Sequence, residues 1–244
     1  MNLIIDIGNS RAKVVVMDAD MLKKEYVEES FDAALCAEIF ADYPTIERAI
    51  IASTRGDEEV VKAIVEERIA KVIIFKPATT PIPLANHYHT PETLGADRLA
   101  AAVGAQALYP DSDIMIVDFG TAITIDFVEG EAFKGGNISP GVTTRFRALA
   151  DYTARLPRCY ATDEALDYGR TTQEAIEQGV MRGVEHEIRG YAELFMQKNG
   201  RKCIIFTGGD AKYFVKRIKN TIFADCEPVI FGLNRILNYN AEIR

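Results

Sequence analysis

The sequence predicts an α/β fold. Short apolar runs of strand length alternate with longer stretches at helical spacing. An apolar run ending in Asp and a Gly turn opens the chain and returns in its middle. The length, 244 residues, amounts to one large domain or two small ones at roughly 150 residues each.

Leu3 to Ile7 and Ala12 to Met17 are apolar runs separated by Gly8, Asn9 and Ser10, which reads as a hairpin. A third strand is expected near Lys24 to Glu28. Phe31 to Tyr43 carries Phe31, Leu35 and Ile39 at helical spacing before Pro44 stops it. Ala49 to Ala52 predicts a buried strand, Asp57 to Ala70 an amphipathic helix and Val72 to Phe75 another strand. Four of the nine prolines and two of the three histidines fall between Pro77 and Pro91, so an irregular surface connection is expected there. Thr90 as cap and Pro91 at the first position predict a helix to about Leu108. Ile114 to Phe119 and Ala122 to Val128 then repeat the opening hairpin. A loop at Gly135 to Gly141, two helices, a strand at Cys203 to Phe206 and a helix from about Asp210 to Lys219 complete the chain. The boundary between halves is placed at 110, giving 1–110 and 111–244.

The two hairpins match in detail: Asp6-Ile7-Gly8-Asn9-Ser10 against Asp118-Phe119-Gly120-Thr121-Ala122. Chance likeness between two buried hairpins is one explanation, since Gly after a strand is common. Duplication is the other.

Composition removes several classes. Apolar residues make up 48% and charged residues 26%, away from the low-hydrophobicity signature of disorder. A formal charge of −8 argues against a broad polyanion-binding face, so no nucleic-acid partner is expected. No run approaches the ~20 apolar residues of a membrane span. The first residues lack a signal peptide's cationic stretch and place Asp6 within the apolar run. The four cysteines, Cys36, Cys159, Cys203 and Cys226, stand singly and read as buried thiols. A soluble, cytoplasmic protein is the expectation.

Tight Gly turns offer backbone N–H groups to a phosphate, with Ser10 and Thr121 adding hydroxyls. Asp6 and Asp118 would repel a bare phosphate and make sense with a cation between, as Mg²⁺ in phosphoryl-transfer sites is held by one or two carboxylates. Neither a Walker loop nor a G-x-G-x-x-G fingerprint is present. Asp118-Phe119-Gly120 spells a protein-kinase triplet without that family's partner motifs. No G-x-S-x-G elbow supports a Ser-His-Asp triad. Asp97 shares a helix face with Ala101 and Gly104, small residues that leave room beside a proton-accepting carboxylate. Arg98 suits an anion, and a solvated Asp-Arg pair is the alternative. Thr207-Gly208-Gly209-Asp210 leaves bare backbone for a flat ligand, or is simply a cap after a turn. Thr171-x-x-Glu174 fits a capping box, which competes with any ligand role for Thr172. Ser139-Pro140 is a plausible cap, and Arg145 and Arg147 after it could equally be solvated.

The ordered set Asp6 to Ser10, Gly95-Ala96-Asp97-Arg98, Asp118 to Ala122, Gly135 to Gly141 and Thr207 to Asp210 resembles the type III pantothenate kinases, across nearly the whole chain. The resemblance implies two duplicated ribonuclease H-like halves of the actin-like ATPase superfamily, with the active site in the cleft between them. It implies ATP-dependent phosphorylation of pantothenate to 4′-phosphopantothenate, the first step of coenzyme A biosynthesis, using Mg²⁺ and a monovalent cation, K⁺ or NH₄⁺. By that likeness Asp6, Ile7, Gly8, Asn9, Ser10, Arg11, Ala12 and Lys13 form the first phosphate loop, and Thr121 touches ATP from the second. Gly208 and Gly209 pack near the adenosine, Asp118 holds the monovalent cation, and Asp6 sits near Mg²⁺. Tyr88, Gly95, Ala96, Asp97 and Arg98 bind pantothenate with Asp97 as base, and Thr172 reaches it from the partner of a homodimer. Ser10 stands where Thr is commoner, keeping the hydroxyl. Asn137 replaces a usually small apolar residue. A nucleotide-binding regulator without kinase activity, related to accessory factors of transcription, is the rival reading, with phosphotransfer to another small alcohol as a third.

Overall fold

The computed structural model describes residues 1–218, 222–223 and 227–243. The chain forms two compact units, one of 1–110, 131–134 and 226–244, the other of 111–130 and 135–225.

In the first unit the hairpin β1 (Asn2–Ile7) and β2 (Ala12–Asp18) is followed by β3 (Met21–Glu28), α1 (Ala33–Asp42), β4 (Arg48–Ser53), α2 (Glu58–Glu66) and β5 (Lys71–Ile74). The sheet order is β3-β2-β1-β4-β5. The first three strands pair antiparallel and the last three parallel. Asp32 caps α1, its carboxylate accepting from the Leu35 N–H at 2.8 Å. Alternation along β1 divides the sheet's faces. Leu3, Ile5 and Ile7 join Ala12, Val14, Val16, Ile39, Val61 and Val65 in one core under α1 and α2. Asn2, Ile4 and Asp6 face the opposite side. That side is covered by α3 (Ala96–Leu108) and α6 (Pro228–Glu242).

The second unit holds β7 (Asp113–Phe119), β8 (Ala122–Glu129), most of β9 (Ala132–Pro140), α4 (Val142–Asp151), α5 (Thr172–Met196), β10 (Lys202–Thr207) and β11 (Ile222–Phe223). Its order, β9-β8-β7-β10-β11, is that of the first sheet. Again the opening hairpin is antiparallel and the next neighbours are parallel. The recurrence resolves the sequence ambiguity in favour of duplication, since the likeness extends from the turn to the strand order. Phe119, Phe206 and Phe214 anchor this core, the rings of Phe119 and Phe214 stacked at 4.9 Å.

Several expectations are corrected. The helix foreseen from Pro91 to Leu108 is a 3-10 turn (Pro91–Thr93), an extended Leu94, and then α3. Gly95 is therefore the N-cap of α3, outside its interior. The column of Ala101 and Gly104 beside Asp97 leaves no ligand space at Gly104, where a Cβ would lie 2.0 Å from the Pro228 carbonyl oxygen. The small residues serve close packing of α3 on α6. Gly135 to Gly141 is largely strand β9, because Gly136 lies bare against the β8 backbone, 2.1 Å from the Ile125 oxygen to a built Cβ. The helix expected from Asp210 is a 3-10 turn (Ala211–Tyr213) running on in turns to 218, with bonds of Ala211 to Gly208 and Phe214 to Ala211; Lys219 lies outside the described residues. The sequence predicts no element after Lys219, yet α6 forms there and packs in the first unit, on the other side of the boundary at 110. The connection Pro77 to Pro91 is irregular apart from β6 (Ala85–Asn86), which pairs with the start of β9.

Candidate active site

Asp6 and Asp118 occupy the same place in the two repeats, one residue before the end of the first strand. Both are half-buried. In the first unit Gly8 N–H donates to the Arg11 carbonyl at 3.0 Å, closing the turn that exposes Asn9, Ser10 and Arg11. Ile7 and Ala12 flank it as buried residues. Arg55 braces the turn, its Nε donating to the Gly8 carbonyl at 2.7 Å and another guanidinium nitrogen to the Glu29 carbonyl at 2.8 Å. Sequence gave no sign of Arg55, since its contacts are with backbone remote in the chain. Lys13 lies directly across the ladder from Asp6, and cross-strand partners of this kind share a face.

The Gly95 to Arg98 segment turns into α3. Asp97 Oδ1 accepts from the Arg98 N–H at 2.8 Å, in the first helical turn, where a carboxylate meets the positive end of the helix dipole. A Cβ on Gly95 would sit 2.5 Å from that same oxygen, so any larger residue there would make the carboxylate shift. Ala96 is buried beside it. The Arg98 side chain is buried, its guanidinium 5.7 Å from the Tyr88 ring centroid. Tyr88 packs on Phe133 at 6.1 Å. Thus β6 and the opening of β9 bring Tyr88 to Arg98, a proximity spacing alone does not reveal. α3 and α6 cross at Gly104 and Gly232, and their C-terminal halves share a groove with Asp20 and Arg48 at the far end of the sheet. The N-termini of both helices, with Asp97 and Glu227, accordingly point toward the strand ends that carry Asp6.

In the second unit the hairpin Gly120 N–H donates to Ala122 at 3.2 Å. The Thr121 carbonyl accepts from Gly141 N–H at 3.0 Å and Thr144 Oγ1 at 2.7 Å. Gly208 follows β10 at φ +90°, and a Cβ there would lie 2.3 Å from Asp118 Oδ1. Parallel pairing of Thr207 with Asp118 sets this approach. The space over Gly209 is open. Asp210, whose N–H reaches the Phe119 carbonyl at 3.2 Å, has its carboxyl raised above the usual range by burial, against the opposing charge of Lys212.

Thr172 is the exposed first residue of α5. The expected cap forms beside it. Thr171 Oγ1 accepts from Glu174 N–H at 3.2 Å, while the Glu174 carboxylate takes the Arg170 N–H, one residue further back than the usual box. Thr172 itself is left projecting from the helix start. Arg145 is not solvated: it bonds Pro140 O at 2.8 Å and pairs with Glu187. The N-cap of α4 is Gly141 rather than Ser139. Cys36, Cys159 and Cys203 are buried free thiols, and burial pushes Cys203 up to about 11; Cys226 lies outside the described residues.

No group of three or more His, Cys, Asp or Glu side chains among the described residues could hold a metal unaided. Mg²⁺ in phosphoryl-transfer sites keeps waters and phosphate oxygens and needs only one or two carboxylates. Asp6 in the first unit and Asp118 in the second are each a hard oxygen donor at a strand end beside a Gly turn, and each by itself offers one such carboxylate.

The repeated sheet order and paired Asp-x-Gly hairpins make this chain one of the α/β proteins built from two like halves, each a mixed sheet flanked by helices. Among solved structures it resembles a Baf-family protein from Campylobacter jejuni, with TM-score 0.64, 23% identity, and 98% of this chain and 99% of that one covered. It also resembles a protein described as a 2-dehydro-3-deoxygalactonokinase from Sinorhizobium meliloti, with TM-score 0.64, 14% identity, and 98% and 99% covered. These identities speak for fold alone. The family model described as type III pantothenate kinase matches residues 2–194. The type III pantothenate kinase of Phocaeicola vulgatus is 42% identical over 245 residues, covering 100% of both chains. This chain belongs to the type III pantothenate kinase family.

Proposed function

We infer that this chain is an ATP-dependent kinase that phosphorylates pantothenate to 4′-phosphopantothenate, the first step of coenzyme A biosynthesis, with Asp97 as general base. The observation that carries the assignment of the base is the Gly95-Asp97 contact. The bare Gly95 leaves room for the carboxylate at the helix start, and one oxygen is anchored on the Arg98 N–H. That leaves Oδ2 for a substrate hydroxyl. Family membership supplies the substrate and the use of ATP with a metal.

Phosphoryl transfer through a loose transition state depends on positioning and charge more than on covalent chemistry. Asp97 accepts the proton of the attacking hydroxyl. Arg98, with its planar donors held over Tyr88, binds the acidic substrate. The turn from Gly8 to Lys13 and the hydroxyl of Thr121 receive phosphate oxygens, and Gly208 and Gly209 leave bare backbone for the adenosine. Mg²⁺, when bound with the nucleotide, neutralises phosphate charge and would be held by Asp6. Asp118 would hold a monovalent cation, K⁺ or NH₄⁺. Thr172 completes the substrate site from the second copy of a homodimer, which fits its exposed place at a helix start. The protein works in the cytoplasm, where ATP and pantothenate meet.

The test is ADP release measured with and without pantothenate, in Na⁺ and then K⁺ buffer. Release that requires pantothenate and is stimulated by K⁺ is expected. Release indifferent to pantothenate would refute the substrate assignment.

A further inference from the structure

We propose that Glu227 is a positioning residue that holds Lys13 ready for the nucleotide phosphates; this rests on the reading of the first hairpin as a phosphate loop. Lys13 projects from β2 on the face it shares with Asp6, directly opposite it in the ladder. Its ammonium is paired with the Glu227 carboxylate, and Glu25 lies farther off at 3.6 Å. The Lys13 side chain is 22% exposed and that of Glu227 41%, so solvent screens the pair in part and its effect on stability is small.

Glu227 is the N-cap of α6, yet its side chain makes no capping bond. The carboxylate reaches past its own helix to Lys13. A lysine has a flexible four-carbon stem, and free rotation would have to be given up when a phosphate binds. Held by Glu227, that freedom is already lost on folding, and binding costs correspondingly less. An ammonium has three donors, so one carboxylate leaves others for phosphate oxygens. The device also ties the start of α6 to the hairpin that carries Asp6. An ion pair serving only as a staple between α6 and β2 would alter stability and leave nucleotide affinity alone.

The experiment is calorimetric titration of the full-length protein with Mg-ATP in the absence of pantothenate, alongside thermal melts. Glu227→Ala is expected to weaken ATP about tenfold, or ~1.4 kcal/mol, with pantothenate affinity changed less than twofold. Glu227→Gln, which keeps an acceptor but loses the charge, should fall between Glu227→Ala and the parent. Lys13→Ala should weaken ATP at least as much as Glu227→Ala, and adding Glu227→Ala to it should bring no further loss, because the effect passes through Lys13. Unchanged or tighter ATP binding in Glu227→Ala, or losses that add in the double variant, would overturn the proposal. Should Glu227→Ala not fold, parent-like affinity of Glu227→Gln in the presence of a weakened Lys13→Ala would do the same. If Lys13→Ala itself binds ATP normally, the phosphate-loop reading falls too, which separates that failure from one confined to Glu227.

Discussion

At the scale of single residues, Asp97 shows how one side chain is specified from several directions. The sequence marks it through Gly95-Ala96-Asp97-Arg98, and the structure gives the glycine a steric reason, a Cβ at 2.5 Å from the carboxylate. General-base assistance is typically worth about 10² to 10⁴ in rate. Asp97→Asn should therefore lose turnover by about that factor while ATP affinity, read by titration, stays near the parent value. A second residue-scale prediction concerns Asp113. Burial pushes its carboxyl up, but the Lys202 ammonium, the Gly130 N–H and the charge of Lys198 together bring it below the usual range. A depressed carboxyl stabilises the fold at pH above the unfolded value, ~3.9, and that contribution fades as pH falls through the lower folded value. Asp113→Asn leaves Lys202, 3% exposed, without its carboxylate and should cost about 3 kcal/mol near neutral pH. Urea denaturation should show the gap between parent and variant closing below about pH 4.

Elements were legible where periodicity was strong and misread where packing of backbone on backbone decided. The hairpins, β4, α1 and α2 follow directly from apolar spacing. The β9 strand was hidden because its glycines read as loop, though they serve close approach to β8. Gly104 likewise looked like space beside Asp97 and proves to be a contact between helices, with Gly232 meeting the Ala100 carbonyl at 1.8 Å from a built Cβ. Gly232→Ala should destabilise the chain by roughly 1 to 3 kcal/mol, the usual cost of overpacking, measured as a lower thermal midpoint. Gly208→Ala presses on Asp118 and also needs φ +90°, so reduced K⁺ stimulation is expected along with lost stability. Activation by K⁺ equal to the parent's would place the cation elsewhere.

For the whole molecule, duplication of one sheet order accounts for the two Asp-x-Gly hairpins, and the proposed dimer would give the exposed Thr172 its role. Mixing inactive Asp97→Asn protomers with inactive Thr172→Arg protomers tests this. If Thr172 acts across the interface, random pairing should restore about a quarter of parental activity, since half the dimers would carry one intact site of two. No recovery would put Thr172 in its own protomer's site, and a Thr172→Arg variant active by itself would put it outside any site. The sequence by itself determined the strand hairpins, the repeat of Asp-x-Gly and the family motifs, because these depend on short-range spacing and on residue types that only certain turns accept. Tertiary structure alone decided that the last helix returns to the first unit, that Arg98 lies over Tyr88 and that Glu227 meets Lys13. The first and last join residues more than 200 apart in the chain, and the second spans an irregular connection with no periodicity to read, so all three are set by how whole faces pack rather than by any local pattern.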